Sequence, residues 1–274
     1  MAATATPIGE HLRQWRQRRR LSQLAFALQA DVSQRHLSCL ESGKAAPSRE
    51  MVLRLAEQLQ VPLRERNAML VAAGYAPLYA ERPLDDPALA PVRQAVQQVL
   101  QAHEPWPALA IDRHWQLVAA NRMLPLLLAG VGSGLMAPPV NVLRLSLHPD
   151  GLAPRILNYR AWRAHLLERL RQQAGGTGDP VLAALLQELQ ALPSPASVEA
   201  AAPGPVDDPE PGGIAMPLRL STPVGPLSLL STTTVFGTPR DITLAELALE
   251  AFYPADEATA QRLRRLAEPG RTPL

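Results

Sequence analysis

Apolar residues recur at helical spacing through the first quarter of the chain. Ile8, Leu12 and Trp15 fall on one side of a helix predicted from Ile8 to about Arg19. The same periodicity predicts four more short helices. They cover Gln23 to about Gln29, Ser33 to Ser42, a segment with Val52, Leu55, Ala56 and Leu59 on its buried side, and Pro62 to Gly74.

Polar and special residues separate these predicted helices. Ser22 has the side chain of an N-cap for the second helix. Only Ala30-Asp31-Val32 connects the second helix to the third. Gly43 follows the third helix, where a C-terminal cap needs a residue of positive φ. Two helices with so short a connection are typical of a helix-turn-helix unit.

The rest of the chain mixes strand and helix patterns. Asp112-Arg113 is predicted to form a turn between the first two strands. The predicted strands are 108–112, 114–120, 214–221, 226–236 and 244–252, the predicted helices are 88–103, 124–129, 155–173 and 180–192, and a Pro- and Gly-rich loop is predicted over 193–213. This order predicts an α+β chain, in which an antiparallel sheet has helices inserted after its second strand.

Composition and charge add a preference for a polyanionic partner. Residues 1–60 hold nine Lys or Arg and five Asp or Glu, a net charge of +4, whereas the other residues sum to −2. Cys39 is the single cysteine, so no intrachain disulfide is predicted. The sequence has no membrane-length apolar run and no apolar stretch ahead of its first charges, so we expect a cytoplasmic protein rather than a membrane or exported one.

The third predicted helix has two different faces. At 100° per residue, Leu37 and Leu40 lie on one side and Gln34 and Arg35 on the other. Gln and Arg make bidentate hydrogen bonds to adenine and guanine edges in the major groove. The helix therefore predicts a DNA contact, although an ordinary solvated surface is the alternative for each residue alone. The arginines of the first helix are candidates for phosphate contacts, and a solvated helix end explains each of them nearly as well.

The N-terminal residues also resemble a known family. SQLAFALQADVSQRHLSCLESGK and the following PSREMVLRLAEQLQVPLRERNAMLVAAGYAP resemble the XRE class of lambda-repressor-like helix-turn-helix regulators. The resemblance implies an all-α domain of five helices over residues 1–75 that binds double-stranded DNA. Asp31 departs from this pattern, which usually has glycine in the turn. The predicted DNA-binding residues are Gln23, Ser33, Gln34, Arg35, Ser38, Cys39 and Lys44.

Residues 88–268 resemble the ligand-binding domain of MmyB-like regulators. PLDDPALAPVRQAVQQVLQAHEPWPALAIDRHWQLVAANRM and NYRAWRAHLLERL carry this resemblance, with 76–87 as a predicted linker. It implies a PAS-like antiparallel sheet that encloses a small molecule. Core packing explains the large side chains there at least as well as ligand binding does. The candidate ligand-binding residues are Trp106, Trp115, Met123, Tyr159, Trp162 and Phe236.

These features predict a dimeric transcription regulator that senses a small, apolar or fatty-acyl-like effector. An antitoxin-like repressor whose C-terminal domain binds a partner protein is the alternative. A DNA-binding enzyme is less favoured, because the sequence shows no nucleophile–base pair and no metal-ligand motif such as HExxH. We expect no cofactor. Cys39 on the predicted DNA-facing side suggests a redox switch, but a small inert residue is the simpler interpretation, since a second cysteine is lacking.

Overall fold

The computed structural model describes residues 6–195 and 215–268. The described residues form two compact units. The first contains the residues up to Arg82 together with Gly175–Gly178 and Thr238–Ala245. The second contains the remaining described residues, beginning at Pro83. Within the described ranges, none of the helices has the length and apolar character needed to cross a membrane.

The first unit contains the five helices predicted for this region. They are α1 (Ile8–Arg18), α2 (Gln23–Gln29), α3 (Gln34–Glu41), α4 (Arg49–Gln58) and α5 (Leu63–Ala72). Ser22, Ser33 and Ser48 cap α2, α3 and α4, because each hydroxyl accepts a hydrogen bond from the backbone amide three residues later. The prediction of Ser22 as an N-cap is thus confirmed.

Two residues in the left-handed region fix the turns on either side of α3. Asp31 has a φ of 51° in the connection between α2 and α3, and Gly43 has a φ of 72° after α3. The positive φ predicted for Gly43 is confirmed. Aspartate tolerates this region better than most residues with a side chain, so Asp31 occupies the turn position where the XRE pattern usually has glycine.

The five helices enclose a core built from their apolar stripes. Its fully buried side chains include Leu12, Trp15, Leu37, Leu40, Val52, Leu55, Ala56 and Leu59. Helix α1 passes close to α3 at Gly9, where an added Cβ would lie only 2.6 Å from the carbonyl oxygen of Leu40. Glycine at this position therefore lets the two helices pack against each other.

The second unit is built on a five-stranded antiparallel sheet. Its strands are β1 (Ala108–Ile111), β2 (Leu117–Ala120), β3 (Leu218–Leu220), β4 (Leu227–Val235) and β5 (Ala248–Pro254), in the spatial order β2-β1-β5-β4-β3. Among the described residues, four α-helices lie between β2 and β3 in the sequence, and three of them correspond to helices predicted there. Among the described residues, the α-helices that follow α5 in the sequence are α6 (Ala90–Ala102), α7 (Met123–Leu127), α8 (Val142–Leu147), α9 (Tyr159–Thr177), α10 (Pro180–Ala191), the short α11 (Ile242–Ala245), which belongs to the first unit, and α12 (Glu257–Ala267).

The two faces of the sheet bury different clusters. Leu109 and Ile111 of β1 belong to a large core that also contains residues from α7 to α10 and from α12. Ala108 and Ala110, which alternate with them, pack in a smaller cluster with Val96 and Leu100 of α6. This alternation is the period-two pattern of a strand covered on both faces.

Two predicted strands are shorter in the structure because neighbouring residues form a helix or a turn. Residues 244–252 were predicted as one strand, but 242–245 form α11 and the strand begins at Ala248. Asp241 favours the helix, because its Oδ1 accepts the amide of Thr243 at 2.9 Å. The predicted strand over 114–120 begins only at Leu117, since the carboxylate of Asp112 accepts the amides of His114 and Gln116 and holds a turn.

The sequence patterns also missed elements and extended into parts of the chain that are not described. Helices α8 and α12 were not predicted. The predicted helix over 155–173 begins at Tyr159 and continues to Thr177. Residues 196–213 of the predicted loop and residue 214 of the predicted strand lie outside the described residues.

Candidate DNA-binding surface and ligand cavity

Helix α3 has one face buried in its own unit and one face open to solvent. Leu37 and Leu40 are fully buried. Gln34, Arg35 and Ser38 are exposed, as the helical spacing predicted. The exposed face therefore presents two side chains that match the hydrogen-bonding edges of bases in a major groove.

The other predicted residues of α3 lie at its ends or at the margin of this face. Ser33 is exposed, and its hydroxyl accepts the amide of His36 at 3.1 Å, so this oxygen holds the first turn of the helix. Cys39 is half-buried. Lys44 is exposed just after the left-handed Gly43.

Gln23 has an internal hydrogen-bond partner that its position in the sequence does not indicate. Its amide donates a hydrogen bond of 2.8 Å to Oε2 of Glu41, at the end of α3. Arg16 of α1 donates to both oxygens of the same carboxylate, at 2.6 and 2.9 Å. The side chain of Glu41 has no exposed surface, so these bonds replace the water that it loses. Gln23 is half-buried and positioned beside α3 by this network.

The Glu41 network shifts the pKa of its carboxyl group. Burial alone raises the pKa of Glu41, but hydrogen bonds from Arg16 and Gln23 and the charges of Arg16 and Arg13 outweigh it, so the pKa lies below its ordinary value. Hydrogen bonding to Glu41 in turn raises the pKa of Arg16. The pair is ionised at neutral pH and joins α1 to α3. A glutamate in the last turn of a helix looks like a solvated residue in sequence, which explains why it was missed.

The arginines of α1 divide into internal and exposed ones. Arg16 binds Glu41, and Arg19 donates to the carbonyl oxygens of Leu59 and Gln60 beyond the end of α4. Arg13 and Arg18 of α1 are exposed, as is Arg20 just after the helix. Arg16 and Arg19 therefore have internal hydrogen-bond partners, a structural role that the sequence did not indicate.

The second unit contains an apolar cavity of about 80 Å³. Leucines supply much of its wall, among them Leu109 of β1, Leu143 of α8 and Leu229 of β4. Two polar side chains also reach the wall, Ser146 and Glu250. The leucine-rich part of the wall favours an apolar occupant over water.

Two of the six candidate ligand-binding residues line this cavity. Trp115 and Trp162 contribute to its wall. Trp115 has a φ of 65°, and its indole N–H donates to Gln173 at 2.8 Å. The indole N–H of Trp162 donates to the hydroxyl of Ser146 at 3.0 Å. Each indole is thereby fixed in orientation with its ring against the cavity.

The other four candidates lie elsewhere in the second unit. Met123 and Tyr159 are fully buried in the main core without lining the cavity. Trp106 is partly buried against that core. Phe236 packs in the smaller cluster on the opposite face of the sheet. Helical and strand periodicity does not distinguish a residue beside a void from one in solid packing, which is why the sequence grouped all six.

Neither site contains a metal constellation within the described ranges. In residues 6–195 and 215–268 no three His, Cys, Asp or Glu side chains are grouped to hold an ion. His114 instead bonds Asp179 at 2.9 Å, and the ring of His103 contacts that of Tyr253.

Two family models match different parts of the chain, one in the N-terminal helices and one in the part that contains the sheet. Residues 12–66, which include α2, α3 and α4, match the helix-turn-helix family model. Residues 92–266, which include all five strands and the cavity, match the model of the MmyB-like transcription regulator ligand binding domain. No curated protein matches the chain.

The second match covers well over half of the chain and the first accounts for most of the N-terminal helices. The α+β fold predicted from the sequence is confirmed, as is the pairing of an XRE-like helix-turn-helix with a ligand-binding domain. Neither family is one of enzymes in general. The chain belongs to the MmyB-like transcription regulators, and it is a DNA-binding transcription regulator with a ligand-binding domain.

Proposed function

We propose that this regulator binds its operator as a homodimer, with α3 of each copy in a major groove. Gln34 and Arg35 then contact base edges, Ser38 and Cys39 lie at the groove surface, and Lys44 contacts the phosphate backbone. The exposed Gln34 and Arg35 opposite the buried leucines of α3 are the observation that carries this proposal. Two helices related by a two-fold axis would match half-sites about one helical turn apart.

Gln23 and Ser33 have supporting roles in this proposal. The amide of Gln23 keeps a second N–H besides the one that bonds Glu41, and this N–H is available for a phosphate. Ser33 sits at the first turn of α3 and keeps its O–H available, because its oxygen acts as the acceptor in the cap. Both residues would then position α3 on the DNA rather than select the sequence.

We also propose that the cavity of the second unit holds the effector, an apolar or fatty-acyl-like molecule. Its walls bury apolar surface, which contributes about 25 cal/mol for each Å² removed from water. An effector that binds one conformer better than another shifts the population and thereby the DNA affinity. A pocket of this kind favours a sensor over the antitoxin-like alternative, which would need an exposed partner-binding surface.

Titrations of operator DNA at two salt concentrations test the DNA-binding proposal. Arg35→Ala and Gln34→Ala should each weaken operator binding by about 1–3 kcal/mol and relax the preference at one base position. Lys44→Ala should weaken operator and random DNA equally and reduce the salt slope by about one. Arg54→Ala and Gln58→Ala, which remove exposed side chains of α4, are the matched controls.

Equal losses on operator and random DNA for both Arg35→Ala and Gln34→Ala would contradict base contacts by α3. The assembly on DNA follows from the same titrations, because a homodimer gives a complex of two chains per operator. One chain per operator would contradict the dimer and leave the α3 contacts to be judged from the variants.

A further inference from the structure

The cavity of the second unit has one ionisable group in a wall that is otherwise almost entirely apolar. Glu250 lines the cavity from β5, and the residue is only 6% exposed. Alternation along β5 places it on the same side as Ala248 and Phe252, both of which pack against the main core. A carboxylate in such a place loses its water and needs hydrogen-bond donors in exchange.

The carboxylate of Glu250 has a cationic partner, but one of its oxygens has no hydrogen-bond donor among the described residues. Nη1 of Arg169 lies 2.7 Å from Oε1 of Glu250, which makes an ion pair. Oε1 nevertheless has no hydrogen-bonding partner among the described residues, because this approach lies outside hydrogen-bonding geometry. Two further contacts hold Arg169 in place: its guanidinium lies 4.5 Å from the ring centre of Trp115, and Nη2 donates to Thr233 at 2.9 Å.

The other polar group of the wall does not supply the missing donor. The oxygen of Ser146 accepts the indole N–H of Trp162, and the Ser146 O–H makes no hydrogen bond to Oε1 of Glu250 among the described residues. A buried oxygen without a donor costs free energy that a ligand with a suitable N–H or O–H recovers on binding. A ligand carboxylate offers no proton and adds a like charge in a poorly solvated space, where charges interact strongly.

We infer that the effector combines an apolar body with a hydrogen-bond-donating head, an alcohol, amide or amine, which donates to Glu250. This inference rests on the proposed sensor function and specifies the chemical class of its ligand. Among fatty-acyl-like molecules it selects neutral or cationic derivatives and rejects the free acids. Glu250 was not among the residues chosen from the sequence, where an isolated glutamate in a strand carries no such signal.

Binding of three matched alkyl probes to the full-length protein tests this inference. Hexanol, hexylamine and hexanoate share the apolar body and differ in the head group. Tryptophan fluorescence reports binding, because Trp115 and Trp162 line the cavity. We expect hexanol and hexylamine to bind at least about tenfold more tightly than hexanoate, as one charge-assisted hydrogen bond would produce.

Two variants test whether Glu250 causes the preference for probes with a hydrogen-bond-donating head group. Glu250→Gln keeps the shape and an acceptor oxygen but removes the charge, so it should weaken the binding of the cationic hexylamine more than that of hexanol. Glu250→Leu removes the acceptor, so it should abolish the preference of both donors over hexanoate. Glu257→Gln, at an exposed carboxylate of α12, should change nothing. Circular dichroism confirms folding, and Glu250→Gln serves alone if the leucine variant does not fold.

The outcomes separate the inference from the proposal on which it rests. Hexanoate bound as tightly as the donor probes would overturn the donor head while leaving an apolar sensor intact. A donor preference that persists unchanged in both Glu250 variants would also overturn the inference. Failure of all three probes to bind would reject the sensing cavity itself, and the inference with it.

Discussion

Glu41 shows how a single buried carboxylate determines the position of α3, the helix proposed to contact DNA. Its side chain is fully buried and bonds Arg16 of α1 and Gln23 of α2, so one residue of α3 connects three helices. Breaking a buried ion pair by removing one partner leaves a charge without compensation. This cost exceeds that of losing an exposed pair several-fold.

Glu41→Ala should therefore lower the free energy of unfolding of the first unit by about 3–5 kcal/mol. Denaturant titration followed by circular dichroism measures this loss. Glu50→Ala, which removes an exposed carboxylate in the first turn of α4, is the control and should cost much less. Equal losses in the two variants would show that the buried network does not stabilise the unit.

The same residue predicts a pH dependence. The pKa of Glu41 in the folded state lies below its ordinary value of 4.5, so the unfolded state binds a proton more readily. The stabilisation from Glu41 is then complete well above pH 4.5 and disappears as the pH falls through the lowered folded-state pKa. Glu41→Gln should flatten this part of the stability profile relative to the native chain.

At the scale of elements, the contact between α1 and α3 depends on the absence of a side chain. A Cβ at Gly9 would lie 2.6 Å from the carbonyl oxygen of Leu40 and 2.7 Å from that of Glu41. Both obstacles are backbone atoms, which cannot move away as the end of a flexible side chain can. Gly9→Ala should therefore force α1 away from α3, although alanine favours helices intrinsically.

We expect Gly9→Ala to destabilise the first unit by about 1–3 kcal/mol, the usual cost of overpacking a core. Thermal unfolding measures the change. Gly43→Ala provides a comparison of another kind, because its Cβ meets nothing within 4 Å and only its positive φ is strained. An unchanged or higher melting temperature for Gly9→Ala would contradict close packing of the two helices.

Sequence patterns predicted those helices and strands that are determined by residues close together in the chain. Amphipathic spacing and serine caps gave the five N-terminal helices, and alternation gave the strands of the sheet. Phe236 and Trp115 have similar sequence signals, yet they lie in different clusters on opposite faces of the sheet. The cavity arises where helices and sheet leave space between them, so its position and Glu250 required the three-dimensional arrangement.

At the scale of the whole molecule, the chain itself connects the two units more than once. Residues 238–245 belong to the first unit, whereas β4 before them and β5 after them belong to the second. Within the first unit, Asp241 pairs with Arg82 at 2.7 Å, and the amide of Ile242 donates to Ala80 at 2.8 Å. Strand β5 carries Glu250 and follows this segment directly in the chain, so displacement of β5 by the proposed effector would be transmitted to segment 238–245 through the backbone.

Asp241→Asn should therefore weaken the response to ligand without removing either binding activity. Asparagine keeps the oxygen that accepts the amide of Thr243 but loses the ion pair with Arg82. We expect the affinity for operator DNA alone and the affinity for hexanol alone to change by less than about twofold. The change in DNA affinity caused by hexanol, a coupling typically of about 1–3 kcal/mol, should largely disappear.

Operator titrations with and without saturating hexanol measure this coupling, and Asp150→Asn, at an exposed carboxylate of the second unit, is the control. Coupling is reciprocal, so the same loss must appear in hexanol titrations with and without operator. Full coupling in Asp241→Asn would mean that the effector acts on DNA binding through something other than the attachment of segment 238–245. Because both binding activities are measured separately, a loss caused by local unfolding would be recognised by the simultaneous loss of DNA affinity.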